Sequence, residues 1–206
     1  MSILTSRYSG SSESKFDHDI RQVNSDGFSE FFNGILRGEL SDSFWNESLP
    51  QALNSSVTSS PFFKVFLAAQ VKLGDKGLLS RDITVLDLIR NKYDVHHIFP
   101  KAYLQQHGMK RGMYNQIANF AITQSEINIA IGKKDPGVYF SEMFEACAKN
   151  TKAHGNITNL VELRSNLESH CIPEDIVEYN WENFESFLNG RRKLMSLKIK
   201  KYFETI

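Results

Sequence analysis

Apolar residues recur every three to four positions through most of this chain, and alternate at every second position only near its middle. A first helix is predicted over 15–23, with Ser12 or Ser14 as its cap. Phe28, Phe31, Phe32 and Ile35 share one face of a second helix over 28–37. Ser41 or Asp42 opens a third, carrying Phe44, Trp45 and Leu49, and Pro61 sits at the first turn of an apolar helix over 62–71. Residues 82–91 read as another short helix.

The texture then changes. Residues 93–99 alternate and are rich in β-branched and aromatic side chains, which predicts a strand stopped by Pro100, and 117–123 predicts a second strand. Thr123-Gln124-Ser125-Glu126 has the spacing of a capping box, opening a short helix that Gly132 closes. Helical periodicity returns over 137–149, 159–169 and 181–203. The fold class expected is mainly α with a small central ββα unit, an α+β arrangement. Its parts are an N-terminal helical region (1–91), the ββα unit (92–140) and a C-terminal helical region (141–206) packed on the same domain.

Composition adds exclusions. The chain has 206 residues, 41% of them hydrophobic, enough for a core without disulfide or metal staples. Cys147 and Cys171, the only cysteines, are read as buried small hydrophobes; they form no C-x-x-C and suit a reducing cytoplasm. No apolar run reaches the roughly 18 residues of a membrane span, so no membrane partner is expected. Formal net charge is zero, from 24 basic and 24 acidic groups. That balance conceals unlike blocks: residues 91–140 carry 6 basic and 3 acidic groups, and 191–206 carry 6 and 1, while 141–190 carry 3 and 9. The cations of 191–206 read as a solvated face, as an extension of a DNA-binding surface, or as a dock for the acidic block.

The chemistry-bearing residues lie between Asp94 and Asp135. Asp94-Val95-His96-His97-Ile98-Phe99-Pro100-Lys101 puts two adjacent histidines at the end of a strand. Successive strand side chains point to opposite faces, so a division of labour between a metal ligand and a water or substrate contact is natural. Asn119 stands at the start of the second strand, and Asn128 in the first turns of the following helix. Asp94 is either a carboxylate orienting a histidine or a strand-edge charge. His18, His107, His154 and His170 are read as surface or capping residues.

This pattern resembles the HNH, or His-Me finger, endonucleases, whose active unit is a ββα-metal fold. More narrowly, Val95-His96-His97-Ile98-Phe99-Pro100-Lys101, Asn115-Gln116-Ile117-Ala118-Asn119 and Ile127-Asn128-Ile129 are similar to the C-terminal nuclease half of GmrSD-type restriction proteins. The opening Arg7-Tyr8-Ser9-Gly10-Ser11-Ser12-Glu13-Ser14 is similar to the helical segment preceding that unit. The resemblance implies His97 as the general base toward the attacking water, and Asn119 as the middle Asn that holds the turn and orients the base through backbone hydrogen bonds. It implies His96 and Asn128 as ligands of a divalent metal, Mg²⁺ first, with Mn²⁺, Ni²⁺ or Zn²⁺ admitted by the nitrogen donor. It further implies DNA as partner, a cytoplasmic role in antiviral defence, and an NTP-dependent regulatory domain. The D-G-Q-Q-R-like motif of that domain does not occur here, so the chain reads as an isolated nuclease part.

Lys101, Lys110, Arg111, Lys133 and Lys134 are the candidate phosphate contacts. Twenty-one residues separate His97 from Asn119, more than in short HNH units; the 105–113 stretch is either a DNA-contacting loop or simply a loop. The rival readings are a catalytically silent nucleic-acid-binding module and a helical interaction scaffold.

Overall fold

Two antiparallel strands sit at the centre of a helical shell in a computed structural model that describes residues 2–10, 12–91 and 93–205. Ser11 of the N-terminal stretch and Lys92, the first residue expected for the central unit, lie outside the described residues. The N-terminal helices are α1 (Ser2–Thr5), α2 (Ser12–Asp26) and α3 (Phe28–Glu39). A π-helical turn, Phe44–Ser48, then runs into α4 (Leu49–Ala52), and α5 (Pro61–Lys72) begins at its proline. Helix α6 (Val85–Arg90) is shorter than the 82–91 expected, because Thr84 and Asp87 form a capping box that fixes its start.

Strand β1 is Asp94–His97. The long connection contains α7 (Lys101–Gln106) and α8 (Arg111–Tyr114), so the 105–113 stretch is not wholly irregular. The second strand is also shorter than expected: Ile117–Asn119 form a 3₁₀ turn, and β2 is only Phe120–Thr123. Asn119 therefore ends the turn rather than starting the strand. The register pairs Asp94 with Thr123, Val95 with Ile122, His96 with Ala121 and His97 with Phe120. Helix α9 (Ser125–Ile131) follows, ended by Gly132 at φ 60°, a conformation natural to glycine. No capping box forms at its start: the Thr123 hydroxyl donates to the Leu78 carbonyl at 2.7 Å and is spent on the neighbouring loop.

The C-terminal elements are α10 (Pro136–Ala148), α11 (Leu160–Ser169), two 3₁₀ turns (Glu174–Glu178 and Trp181–Asn183) and α12 (Phe184–Phe203). Asp135 and Asn159 cap α10 and α11 through their side chains. Helix α12 lies across α5, α4, the π-helical turn and the 3₁₀ turn before β2. One apolar core runs from Leu4 to Ile199 and includes β2, both ends of α9 and the inner face of α12. Both cysteines are free and buried in it. Among the described residues, no helix is long and apolar enough to cross a membrane.

His170 is buried, not on the surface as expected. It donates from Nε2 to the Lys76 carbonyl at 2.8 Å and accepts from the Gln70 amide at Nδ1. Burial pushes its pKa down to about 3. Between that value and the ordinary ~6.5, the unfolded chain binds a proton that the folded chain refuses, so stability falls as pH falls across this window. His96, pushed by burial down to about 4, acts in the same direction. Thermal melting between pH 7.5 and 5 is expected to show this loss, at up to ~1.4 kcal/mol per pH unit for each such histidine. His170→Gln, which keeps a donor and an acceptor but cannot titrate, is expected to flatten the slope; an unchanged slope would remove His170 from the account.

Candidate active site

The alternation of β1 sends Asp94 and His96 to one face and Val95 and His97 to the other. Helix α9 lies against the first face and delivers Asn128 between the two side chains. The Asn128 amide nitrogen donates to Asp94 Oδ2 at 2.9 Å, which orients its oxygen toward His96 Nδ1 at 2.8 Å. Asp94 thus orients the asparagine directly, which is neither of the two roles, orienting a histidine or marking a strand edge, that sequence offered.

His96 is buried, and its Nε2 has no hydrogen-bond partner. His170, equally buried, has both ring nitrogens satisfied. A histidine kept purely for packing is expected to resemble His170, because an unpaired buried polar atom costs about 1–3 kcal/mol. His96 departs from that pattern at the point where a ligand-type oxygen faces its other nitrogen. Burial keeps its imidazole neutral, the form that binds cations.

His97 is half-buried on the opposite face. Its Nε2 lies 2.9 Å from the Asn115 amide oxygen, and its ring meets Phe120 edge-on at 5.0 Å. An amide oxygen only accepts, so the proton sits on Nε2 and Nδ1 keeps a free lone pair. Burial lowers the His97 pKa, with a further contribution from the Lys101 ammonium, which favours the neutral, proton-accepting form at neutral pH. Asn115 was not singled out for this role by sequence. The chain holds 15 asparagines, and nothing in its spacing distinguishes this one.

Asn119 is wholly buried, and its side-chain hydrogen bonds go to the backbone rather than to either histidine ring. Its Oδ1 accepts from the Phe99 amide at 2.8 Å, and its Nδ2 donates to the carbonyls of Phe99 and Tyr114. Its own carbonyl accepts from the Ile98 amide at 2.9 Å. It is therefore a positioning residue that holds the chain leaving His97. Tyr139 adds a brace, donating its hydroxyl to the Ile98 carbonyl at 2.9 Å.

His96, His97, Asn128 and Lys101 line one cleft of about 400 Å³, with Val95, Pro100, Ala102, Gln105 and Gly132 completing its wall. Lys133 follows Gly132 at the rim, exposed. Lys110 and Arg111, at the start of α8, are exposed and do not line the cleft. Lys134 is not a free cation: its ammonium pairs with Glu142 at 2.6 Å beside His154, which also bonds Glu142. His154 thus has partners that sequence did not find.

Four of the six cations of α12 are engaged within the fold, while Lys193 and Lys201 are exposed. Arg191 is buried, Arg192 bonds Glu185, Asn189 and Asn54, Lys198 pairs with Asp75 at 2.6 Å, and Lys200 pairs with Asp42 at 3.1 Å. These partners lie mostly outside the acidic 141–190 block.

Comparison with known proteins is sparse. No family model matches the chain, and no solved structure matches it. An uncharacterized protein of Methanocaldococcus jannaschii is 26% identical over 96% of this chain. The chain spans about a third (35%) of that relative's length. The relative brings no assigned activity, so any functional reading rests on the site.

Whether a metal fits can be judged from the donors. Among the described residues no group of three or more His, Cys, Asp or Glu side chains is arranged around a common point. The pair that fits is mixed: His96 Nδ1 donates its proton to Asn128 Oδ1 at 2.8 Å, and a cation held by both atoms would shift that proton to Nε2, which has no hydrogen-bond partner. Neighbouring ligands on one six-coordinate cation with ~2.1 Å bonds are about 3.0 Å apart. Two neutral donors beside a cleft, held by a carboxylate one step removed, fit a cation that keeps most of its positions for water and substrate oxygens.

Proposed function

We propose that this chain is a metal-dependent endonuclease of the HNH type that hydrolyses phosphodiester bonds of DNA, in a defence system directed at foreign DNA. The observation that carries the reading is the Asp94–Asn128–His96 hydrogen-bond chain, with an unsatisfied buried nitrogen on His96, beside a His97 whose Nδ1 is free to take a proton. His96 and Asn128 would hold the divalent ion, which when bound stabilises negative charge developing on the phosphate and leaving oxygens.

The remaining work falls to side chains. His97 Nδ1 accepts a proton from the water whose oxygen forms the new bond to phosphorus, as the bond to the departing sugar oxygen breaks. Asn115 fixes the tautomer that makes this possible, and Asn119 fixes the backbone that carries it. Lys101, in the cleft wall, and Lys133, at its rim, contact the phosphates either side of the broken bond. Lys110 and Arg111 lie beyond that reach and serve longer-range attraction.

Supercoiled plasmid incubated with Mg²⁺, Mn²⁺ or Ni²⁺ is expected to be nicked, and EDTA to stop it. No nicking with any of these ions would sink the reading; retardation on a gel without nicking would favour a silent binding module. Asp94→Ala, by releasing the Asn128 amide, is expected to raise the metal concentration needed for half-maximal nicking about 10–100-fold. DNA retardation should stay near wild type in this variant, and an equal loss of both would count against the ligand pair.

A further inference from the structure

Arg191 is fully buried on α12, and among the described residues no carboxylate pairs with it. Its guanidinium donates instead to three backbone carbonyls. Nη1 reaches the Ala118 oxygen at 2.9 Å and the Phe120 oxygen at 2.8 Å, while Nε and Nη2 reach the His170 oxygen at 3.1 and 3.0 Å. Burial pushes its pKa down only to about 10, so the group stays charged at neutral pH. The nearby Cys171 thiol and Tyr139 hydroxyl, both raised by burial, stay neutral there and offset none of that charge.

A charge buried without a counter-ion costs several kcal/mol, and apolar residues of similar volume commonly replace such groups without loss. Its location explains what the guanidinium does. The sheet has two strands, so the outer edge of β2 has no strand to pair with. The carbonyls of Phe120 and Ile122 follow one another along that edge, and that of Ala118, in the 3₁₀ turn before β2, lies next to the Phe120 carbonyl on the same guanidinium nitrogen. The Leu78 amide takes the Ile122 carbonyl at 2.8 Å, and Arg191 takes the other two. A planar fork of five donors spans such a row where a lysine ammonium cannot.

The two carbonyls that Arg191 holds flank Asn119, whose side chain and carbonyl hold Ile98 and Phe99. The Phe120 ring also packs edge-on against His97.

We propose that Arg191 is a positioning residue of the active site: by clamping the carbonyls on both sides of Asn119 it fixes the Ile98–Phe99 backbone and, through it and the Phe120 ring, the aim of His97. The catalytic consequence rests on the endonuclease reading, whereas the positioning itself does not.

Arg191→Lys is the test, with Ser196→Ala as control. Ser196 lies on the same helix, is also buried and donates to the Trp45 carbonyl, away from the site. Hydrogen exchange followed residue by residue by NMR is expected to speed up at the Ile98 and Phe99 amides by ~10-fold or more in Arg191→Lys. Amides within α5 and α10 should keep wild-type protection, and Ser196→Ala should leave Ile98 and Phe99 unchanged.

In the nicking assay, kcat per folded molecule should fall ~10–100-fold with KM for plasmid nearly unchanged. Arg191→Lys combined with Asn119→Ala should be no slower than Asn119→Ala alone, because both act through one element. Unchanged exchange at Ile98 and Phe99, or a uniform rise throughout the core, would overturn the assignment. Absence of nicking by wild-type protein would overturn the endonuclease reading alone, since exchange still decides whether Arg191 holds this backbone.

Discussion

Replacing His97 by alanine is expected to lower nicking by ~100–10,000-fold under metal-saturating conditions while leaving DNA retardation and melting temperature close to wild type. The size follows from the proposed role: without Nδ1, the attacking water would lose the group proposed to take its proton. The small stability cost follows from the position, because His97 is half-buried and makes one side-chain hydrogen bond, to Asn115. Asn115→Ala should give a smaller loss in the same direction, since the imidazole stays but its tautomer is no longer imposed. Equal rates for wild type and His97→Ala would dismiss this histidine as the base, and with it the mechanism.

Asn119→Ala is expected to be the most damaging single substitution for stability in the central unit. It would leave the Phe99 amide and the carbonyls of Phe99 and Tyr114 buried without these partners. Losses of this kind are expected to total about 2–5 kcal/mol, a fall in melting temperature of roughly 5–15 °C for a chain of this size. Nicking should fall as well, at temperatures where the variant is still folded. Asn119→Asp should not rescue it, because a carboxylate lacks the two donors that serve the carbonyls and adds a buried charge. A melting temperature within 2–3 °C of wild type would show that the loop after His97 is held by something else.

The parts of this structure that sequence makes legible are those governed by local periodicity. The aromatic spacing of Phe28, Phe31 and Ile35, the proline opening α5 and the glycine closing α9 each act within a turn or two, and each element lies where expected. The alternation that separates His96 from His97 was legible for the same reason.

Contacts between distant residues were not. Thr123 has the spacing of a cap, yet a loop 45 residues earlier offers its hydroxyl a buried carbonyl, which outweighs the helix end. The expected strand from Ile117 loses its first three residues to a 3₁₀ turn, where Asn119 bonds the Phe99 and Tyr114 backbone. Arg191, in a run of cations that sequence left open between a solvated face, a DNA-binding surface and a dock for the acidic block, is buried because three carbonyls, from the 3₁₀ turn, β2 and the end of α11, fit one guanidinium. His170 is hidden by the same kind of accident of tertiary placement. Within the site, the resemblance named His96 and Asn128 together, and the structure brings them to hydrogen-bond distance; the Asn115 partner of His97 and the grip of Asp94 on Asn128 had no counterpart in the sequence pattern.

The reach of Arg191 also bears on the order in which the chain is made. The side chain that closes the outer edge of β2 is 73 positions later than one of the carbonyls it holds. A growing polypeptide thus carries both histidines and both asparagines well before it carries the clamp. Until α12 emerges from the ribosome, the Ala118 and Phe120 carbonyls lack the guanidinium that holds them in the folded chain. If Arg191 positions His97 as proposed, the site would take its final arrangement only once α12 has been made.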